Sequence, residues 1–288
     1  MTVLHNIGQL ATCPPDAQQD DAGLIGHAAL VFEGSRVVWA GPEEQLPDSF
    51  SDHEYINCGG RLVIPGLIDS HTHLCFCGCR GDEIEQRLQV KSYQAISKTG
   101  GGIRSTVTAT RSETVDNLRQ KTLDSLTNIL SLGVTTMECK SGYGLELATE
   151  LKQLEIYRQL DDLQPVKLVP TFLGAHMVPD EYQQEREAYI DLLCEKMIPA
   201  VSEQGLARFC DIFIENGAFS VDEARRILDT ARARGMGLKV HADQLSNGGG
   251  ALFAAEMGAQ SAEHLEYADD VGITALARAG TVAGRLPL

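Results

Sequence analysis

The chain has 288 residues, room for one large domain or for a large domain beside a small one. Its 40 acidic residues against 24 basic ones leave a formal charge of −16, which argues against a nucleic-acid-binding surface. No apolar run approaches the roughly 18 residues of a membrane span, and "MTVLHNIGQLATCPPD" lacks the basic start and long apolar core of a secretory signal, so a cytoplasmic protein is expected.

Residues 1–60 read as short β segments joined by turns. "AALVFEGSRVVWAGPEEQLP" holds two apolar strands around a Glu33–Gly34 turn and then a Gly41–Pro42 break, as in a small β domain. From residue 61 the rhythm changes. "RLVIPGLIDSHTH" opens with an apolar strand. Residues 112–131 follow as a helix with Ser112 as the expected N-cap and Gly133 as the stop. "VTTMECKSG" is a strand, 146–160 a helix, "VKLVPTFLGAH" a strand, 180–200 a helix and "FCDIFIENG" a strand. "SVDEARRILDTARARG" is a helix with Ser220 and Glu223 at capping-box spacing. "LKVHADQ" and "QSAEHLEY" are strands around a helix at 248–257, and "ADDVGITALARAG" is a last helix.

This alternation of apolar strands with helices predicts a parallel α/β fold. The polar residues choose between its two forms. His71, His73, Glu138, His176, Glu215, His241 and His264 all fall at or just past predicted strand ends. A (β/α)8 barrel gathers groups from many strands at that face, whereas an open sheet concentrates them at one switch point. The expectation is therefore a small N-terminal β-sandwich portion over 1–60 and a (β/α)8-type barrel over 61–288. Six strands are placed near 62–71, 134–140, 167–175, 209–215, 237–243 and 259–265, with a seventh beginning in "GTVAGRLPL", so the barrel is expected to be incomplete at its C-terminal end.

His71 and His73, two apart on a strand, face the same way and suit joint ligation of one metal ion. His241 is a natural third ligand, and His264 could ligate or act on substrate. Neutral imidazoles favour zinc, iron or a similar borderline metal, which would activate water and polarise a carbonyl. Asp243 and Glu138 are placed to take the proton of that water, with a buried salt bridge as the alternative for Asp243. Arg80 could clamp a substrate carboxylate. Tyr143, in the glycine-rich "KSGYG", could donate to a ligand, and His176 points into the same mouth. "KTGGGIRST", residues 98–106, reads as a loop around a ligand and is not a phosphate-binding Walker motif. The cysteines are scattered apart from Cys75, Cys77 and Cys79. That trio lacks the usual zinc spacing, so buried or half-buried free thiols are expected.

"PGLIDSHTH" resembles the first-strand motif of the metal-dependent amidohydrolases. The finer resemblance is to the imidazolonepropionase family, through "DSHTHLCFCGCR", "TGGGIRSTVTATR", "TTMECKSGYGL", "PTFLGAHMVP", "HADQLSNGGG" and "SAEHLEY". It implies an amidohydrolase barrel that hydrolyses 4-imidazolone-5-propanoate to N-formimidoyl-L-glutamate in histidine degradation. It further implies one zinc or iron ion per subunit, a cytoplasmic homodimer, and a small substrate bearing a carboxylate. By matching motif, His71, His73 and His241 would hold the metal, Arg80 the propanoate, and Tyr143 and His176 the substrate. His264 would polarise or protonate, and Gln244, where some members carry glutamate, could hydrogen-bond substrate or water. The family's last-strand aspartate has no counterpart here, so a truncated chain is expected. Two other readings share parts of the pattern: another cyclic amidohydrolase or a deaminase, and a truncated, inactive homologue.

Overall fold

Alternating apolar residues build the N-terminal sheet. In the computed structural model, which describes residues 1–15, 21–78 and 102–286, β1 (Thr2–Ala11) sits between β2 (Leu24–Glu33) and β4 (Glu54–Asn57). The outer strand β3 (Arg36–Pro42) pairs with β2, and the short β5 (Leu62–Val63) with β1. Pairing with β2 is antiparallel and with β4 and β5 parallel, so the five-stranded sheet is mixed. Ile7, Leu10 and Ala28 form its own small core. The chain divides into two compact units, Met1–Leu67 and Ile68–Leu288.

The second unit carries a seven-stranded sheet whose strands lie side by side in chain order: β6 (Leu67–Thr72), β7 (Val134–Lys140), β8 (Lys167–Ala175), β9 (Phe209–Ile214), β10 (Gly237–Ala242), β11 (Ser261–His264) and β12 (Val282–Gly284). The pairings from β7 to β10 and from β10 through β12 are parallel. This is a partly closed, incomplete (β/α)8 barrel, and the seventh strand expected in "GTVAGRLPL" is present as β12. The helices are α1 (Ile103–Ser112), α2 (Val115–Ser131), α3 (Leu147–Asp161), α4 (Arg186–Leu192), α5 (Ile198–Glu203), α6 (Val221–Ala233), α7 (Gly250–Glu256) and α8 (Asp270–Ala279). No described helix is long and apolar enough to cross a membrane. One continuous core of Leu, Ile, Val, Met and Phe side chains, including Met137, Phe172, Ile212 and Val240, joins helices to strands.

Several boundaries differ from expectation for identifiable reasons. The strand expected over 62–71 is two strands, because Pro65 has no N–H to give a ladder; its first part pairs with β1. Ser112 ends α1 rather than capping α2; the cap is Thr114, whose hydroxyl accepts the N–H of Asn117. Residues 103–106, expected in a ligand loop, begin α1, while 98–101 lie outside the described residues. The helix expected over 180–200 is a 3₁₀ turn (Asp180–Tyr182), α4, a π turn (Leu193–Met197) and α5. Pro199, in the first turn of α5, cannot donate to the preceding turn, and the ladder widens just ahead of it. The α6 capping box forms as read: Ser220 and Glu223 satisfy each other's backbone N–H.

Candidate active site

Parallel strands present their C-terminal ends at one face, and there the histidines collect. His71 is on β6 and His73 just past it, His176 follows β8, His241 is on β10, and His264 closes β11. The ring centroids of His71 and His241 are 4.6 Å apart; those of His71 and His264, 5.0 Å; those of His241 and His264, 5.2 Å. One nitrogen from each of these three lies within 4.8 Å of the others. His73 stands at the next distance, with its ring 5.6 Å from both His71 and His241, and stacks on His176 at 5.0 Å. Tyr143 packs on His73 and His176, each at 5.4 Å.

Four of these rings, His73, His176, His241 and His264, are held neutral. Burial, with neighbouring imidazoles adding to it, pushes His73 well below the ordinary histidine pKa and His264 down to about 4. Burial takes His176 to about 4 against the pull of its hydrogen bond to Gly142, and His241 to about 3 against the attraction of Asp211. Neutral imidazole is the form that ligates metal. His73 Nδ1 and both ring nitrogens of His241 are buried with no hydrogen-bond partner among the described residues. Such orphaned nitrogens cost stability unless something fills them, and a borderline metal ion fits this donor set.

Partners fix two tautomers. His176 Nδ1 lies 2.9 Å from the Gly142 carbonyl, which can only accept, so this nitrogen carries the proton and Nε2 is left free. His71 Nδ1 lies 2.7 Å from Glu263 Oε2, with the same consequence. Glu263 belongs to a charge cluster beneath the histidines. Lys140 Nζ lies 2.8 Å from Glu138, 2.7 Å from Asp211 and 2.9 Å from Glu263; Lys239 Nζ lies 3.1 Å from Glu138 and 2.6 Å from Glu263. Asp211 Oδ2 is also 2.9 Å from His241 Nδ1, at an angle too oblique for a hydrogen bond. Burial opposes the charge on Lys140, but Asp211, Glu138 and Glu263 outweigh it and hold its pKa above the usual lysine value. Burial likewise opposes ionisation of Asp211 and Glu263, yet the neighbouring histidines and lysines keep both well below the carboxylate range.

Three carboxylates brace the loops beside these rings. Glu150, buried on α3, accepts the N–H groups of Gly142, Gly144 and Leu145 and so grips both flanks of Tyr143. Asp243 accepts three N–H groups, those of Gly248 (2.9 Å), Gly250 (3.0 Å) and Ala251 (2.9 Å). Both its oxygens are thus spent on the turn into α7. This corrects the expectation that Asp243 could act as base: it is a helix anchor. Glu215 accepts from the N–H groups of Leu245 and Ser246 and pins the other side of the same turn, beside the half-buried Gln244. Non-glycine residues with left-handed backbone cluster here: Leu145 (φ 52°), Asp243 (φ 51°), His264 (φ 77°) and Leu265 (φ 66°). Such conformations cost about 1–3 kcal/mol each and persist where the surroundings impose them.

The structure thus brings His71, His73, His176, His241, His264 and Tyr143 together, with Gln244 on the adjoining turn. Glu138 is not at a strand end. It lies inside β7, bonded to Thr171 and Lys140, within the charge cluster. Arg80 and Cys79 lie outside the described residues. Cys75 and Cys77 are buried free thiols, and Cys77 Sγ lies 2.8 Å from Lys121 Nζ. Sequence reasoning missed Lys140, Asp211, Lys239 and Glu263. The signal was present: each is a charge inside an apolar strand, and Lys239 and His241 share one face by their spacing of two.

Comparison with known proteins matches residues 62–283 to the pattern of the amidohydrolase family. An imidazolonepropionase of Symbiobacterium thermophilum is 52% identical over 271 residues, covering 93% of this chain and 64% of that protein. One of Brucella abortus is 49% identical over 265 residues (92% and 65%), and one of Bradyrhizobium diazoefficiens 45% over 285 residues (99% and 70%). The chain spans just under two thirds of the length of the first two relatives. Among solved structures, a Xaa-Pro dipeptidase superposes with a TM-score of 0.67 at 15% identity, covering 98% of this chain and 66% of that one. A guanine deaminase of C. acetobutylicum gives 0.66 at 12%, covering 99% and 67%. At those identities the likeness is one of fold.

Proposed function

This chain belongs to the amidohydrolase family, and from that premise we propose that it hydrolyses the cyclic amide of 4-imidazolone-5-propanoate to N-formimidoyl-L-glutamate. The observation that carries the proposal is the meeting of five histidines from four strands beside Tyr143, in a chain 45–52% identical to imidazolonepropionases. The same resemblance supports a cytoplasmic homodimer.

The metal ligands are His71, His73 and His241. A zinc or iron ion held there supplies Lewis acidity, lowering the pKa of water and polarising the ring carbonyl. His264 lies beside these ligands in neutral form. It accepts a proton as water adds to the carbonyl carbon and returns it to the ring nitrogen as the C–N bond breaks. Tyr143 and the free Nε2 of His176 bind the ring, Gln244 hydrogen-bonds substrate or water, and Arg80 holds the propanoate carboxylate.

The test is hydrolysis of 4-imidazolone-5-propanoate by the 288-residue chain with zinc or iron, followed by loss of substrate absorbance. Turnover that disappears with a chelator and in His71→Ala is the expected result. Metal-independent turnover, or a His71→Ala variant with normal rate and metal content, would overturn the assignment.

A further inference from the structure

The charge cluster under the histidines has no place in the proton transfers above, and its geometry points to a different task. Glu263 holds the Nδ1 of His71 at 2.7 Å, and Asp211 lies 2.9 Å from the Nδ1 of His241. The ammonium of Lys140, with no exposed surface, bridges these two carboxylates at 2.9 and 2.7 Å. Lys140 therefore links, through one acid each, two rings that come from strands β6 and β10. We infer that Lys140 is a positioning residue for the metal centre: it locks Glu263 and Asp211, and through them sets the orientation of His71 and His241 as a single unit. This inference rests on the reading of His71 and His241 as metal ligands.

The carboxylate hydrogen-bonded behind His71 fixes which nitrogen carries the proton and which way the ring faces, so the opposite nitrogen is presented as a lone pair, while Asp211, 2.9 Å from His241 Nδ1, biases that ring in the same sense through its charge. Two carboxylates side by side in a buried space repel each other and would swing apart without a cation between them. Asp211 and Glu263 lie close enough, with His241, to draw an ion down to themselves if no other cation stood between them. Lys140 supplies the charge from within the chain and leaves the imidazole nitrogens for the ion above. Lys239, 2.6 Å from the other oxygen of Glu263, prevents that carboxylate from rotating away from His71. The sheet itself supports the arrangement, since the partner of Lys239 in register on β9 is Asp211.

The test is cobalt(II) affinity of the full chain, read by competition with a chromophoric chelator, together with the visible spectrum of the cobalt-loaded protein. Glu263→Gln and Asp211→Asn preserve shape, and each is expected to weaken cobalt binding about 10- to 100-fold and to alter the spectrum. Lys140→Met, which removes no group touching a ligand histidine, is expected to weaken it comparably. Adding Glu263→Gln to Lys140→Met should then cost less than it costs alone. Thermal unfolding of the metal-free proteins shows which variants are folded at the assay temperature; if Lys140→Met is not, the two isosteric variants still decide. His71→Ala separates the two readings. Wild-type cobalt affinity in His71→Ala would overturn the metal assignment itself. Loss of affinity in His71→Ala, with wild-type affinity and spectrum in folded Glu263→Gln and Asp211→Asn, would overturn the positioning role and leave the metal assignment standing.

Discussion

Asp243 Oδ1 accepts the backbone N–H of Gly250 at 3.0 Å, tying the end of a barrel strand to the first residue of the helix that follows. With Gly248 and Ala251 also bonded to this carboxylate, Asp243→Asn puts an amide NH2 against a backbone donor. We expect a loss of about 1–3 kcal/mol of stability, seen as a lower urea midpoint at unchanged m-value. Turnover in the cold, where the variant is folded, should fall far less than the orders of magnitude that follow loss of a general base.

Glu150 does the same for the Tyr143 loop. Glu150→Gln replaces a carboxyl that accepts three backbone N–H groups with an amide, which puts an NH2 against those donors, so the loop should sample positions in which Tyr143 is off the ring. The expected signature is KM raised about tenfold, the equivalent of about 1.4 kcal/mol, with a smaller change in kcat. Tyr143→Phe should move KM in the same direction without affecting the urea midpoint. A kcat effect larger than the KM effect in Glu150→Gln would contradict a substrate-binding role for this loop.

Arg186, opening α4, grips Glu223 of the α6 capping box through two nitrogens, one of them at 2.9 Å. The hydrogen bond from Arg186 and the capping contacts from Ser220 bring Glu223 down to about 2 from its ordinary 4.5. A depressed folded-state pKa means that the unfolded chain takes up the proton first, so stability rises with pH across this window. The contribution is complete above pH 4.5 and is lost as pH falls from there towards 2. The urea-midpoint difference between wild type and Glu223→Gln should therefore be largest above pH 4.5 and vanish near pH 2. A difference that is constant across that range would remove charge from the account.

Metal should stabilise the fold by mass action. At a free ion concentration a hundredfold above Kd, a site present only in the folded state adds about 2.7 kcal/mol. The melting temperature should rise with zinc or cobalt concentration, and chelator should reverse the rise. In His71→Ala the dependence should be nearly flat.

The parallel barrel and the histidine cluster were legible because their signals are local: apolar strands of ordinary length, and a spacing of two that puts His71 and His73 on one face. Helix α1 was not, because its buried face is Thr106, Val107 and Thr110, and threonines leave no hydrophobic stripe to read. Asp243 was misjudged because a carboxylate two residues past a ligand suits a base and a helix anchor equally; only the positions of the Gly250 and Ala251 N–H groups separate them. The charge cluster escaped for another reason. Glu138, Lys140, Asp211, Lys239 and Glu263 meet across four strands, and which of them face each other follows from the sheet's register and curl.

The bond between His71 and Glu263 closes a chain separation of 192 residues, and the strands that carry it lie five places apart in a sheet laid down in sequence order. Neighbouring strands can pair as soon as each stretch of chain is available, but this link can form only after the whole sheet has curled. Long loops are the slowest to close. The centre is therefore a clock for assembly: in a refolding experiment, uptake of cobalt should lag the recovery of far-ultraviolet circular dichroism and mark the last cooperative step.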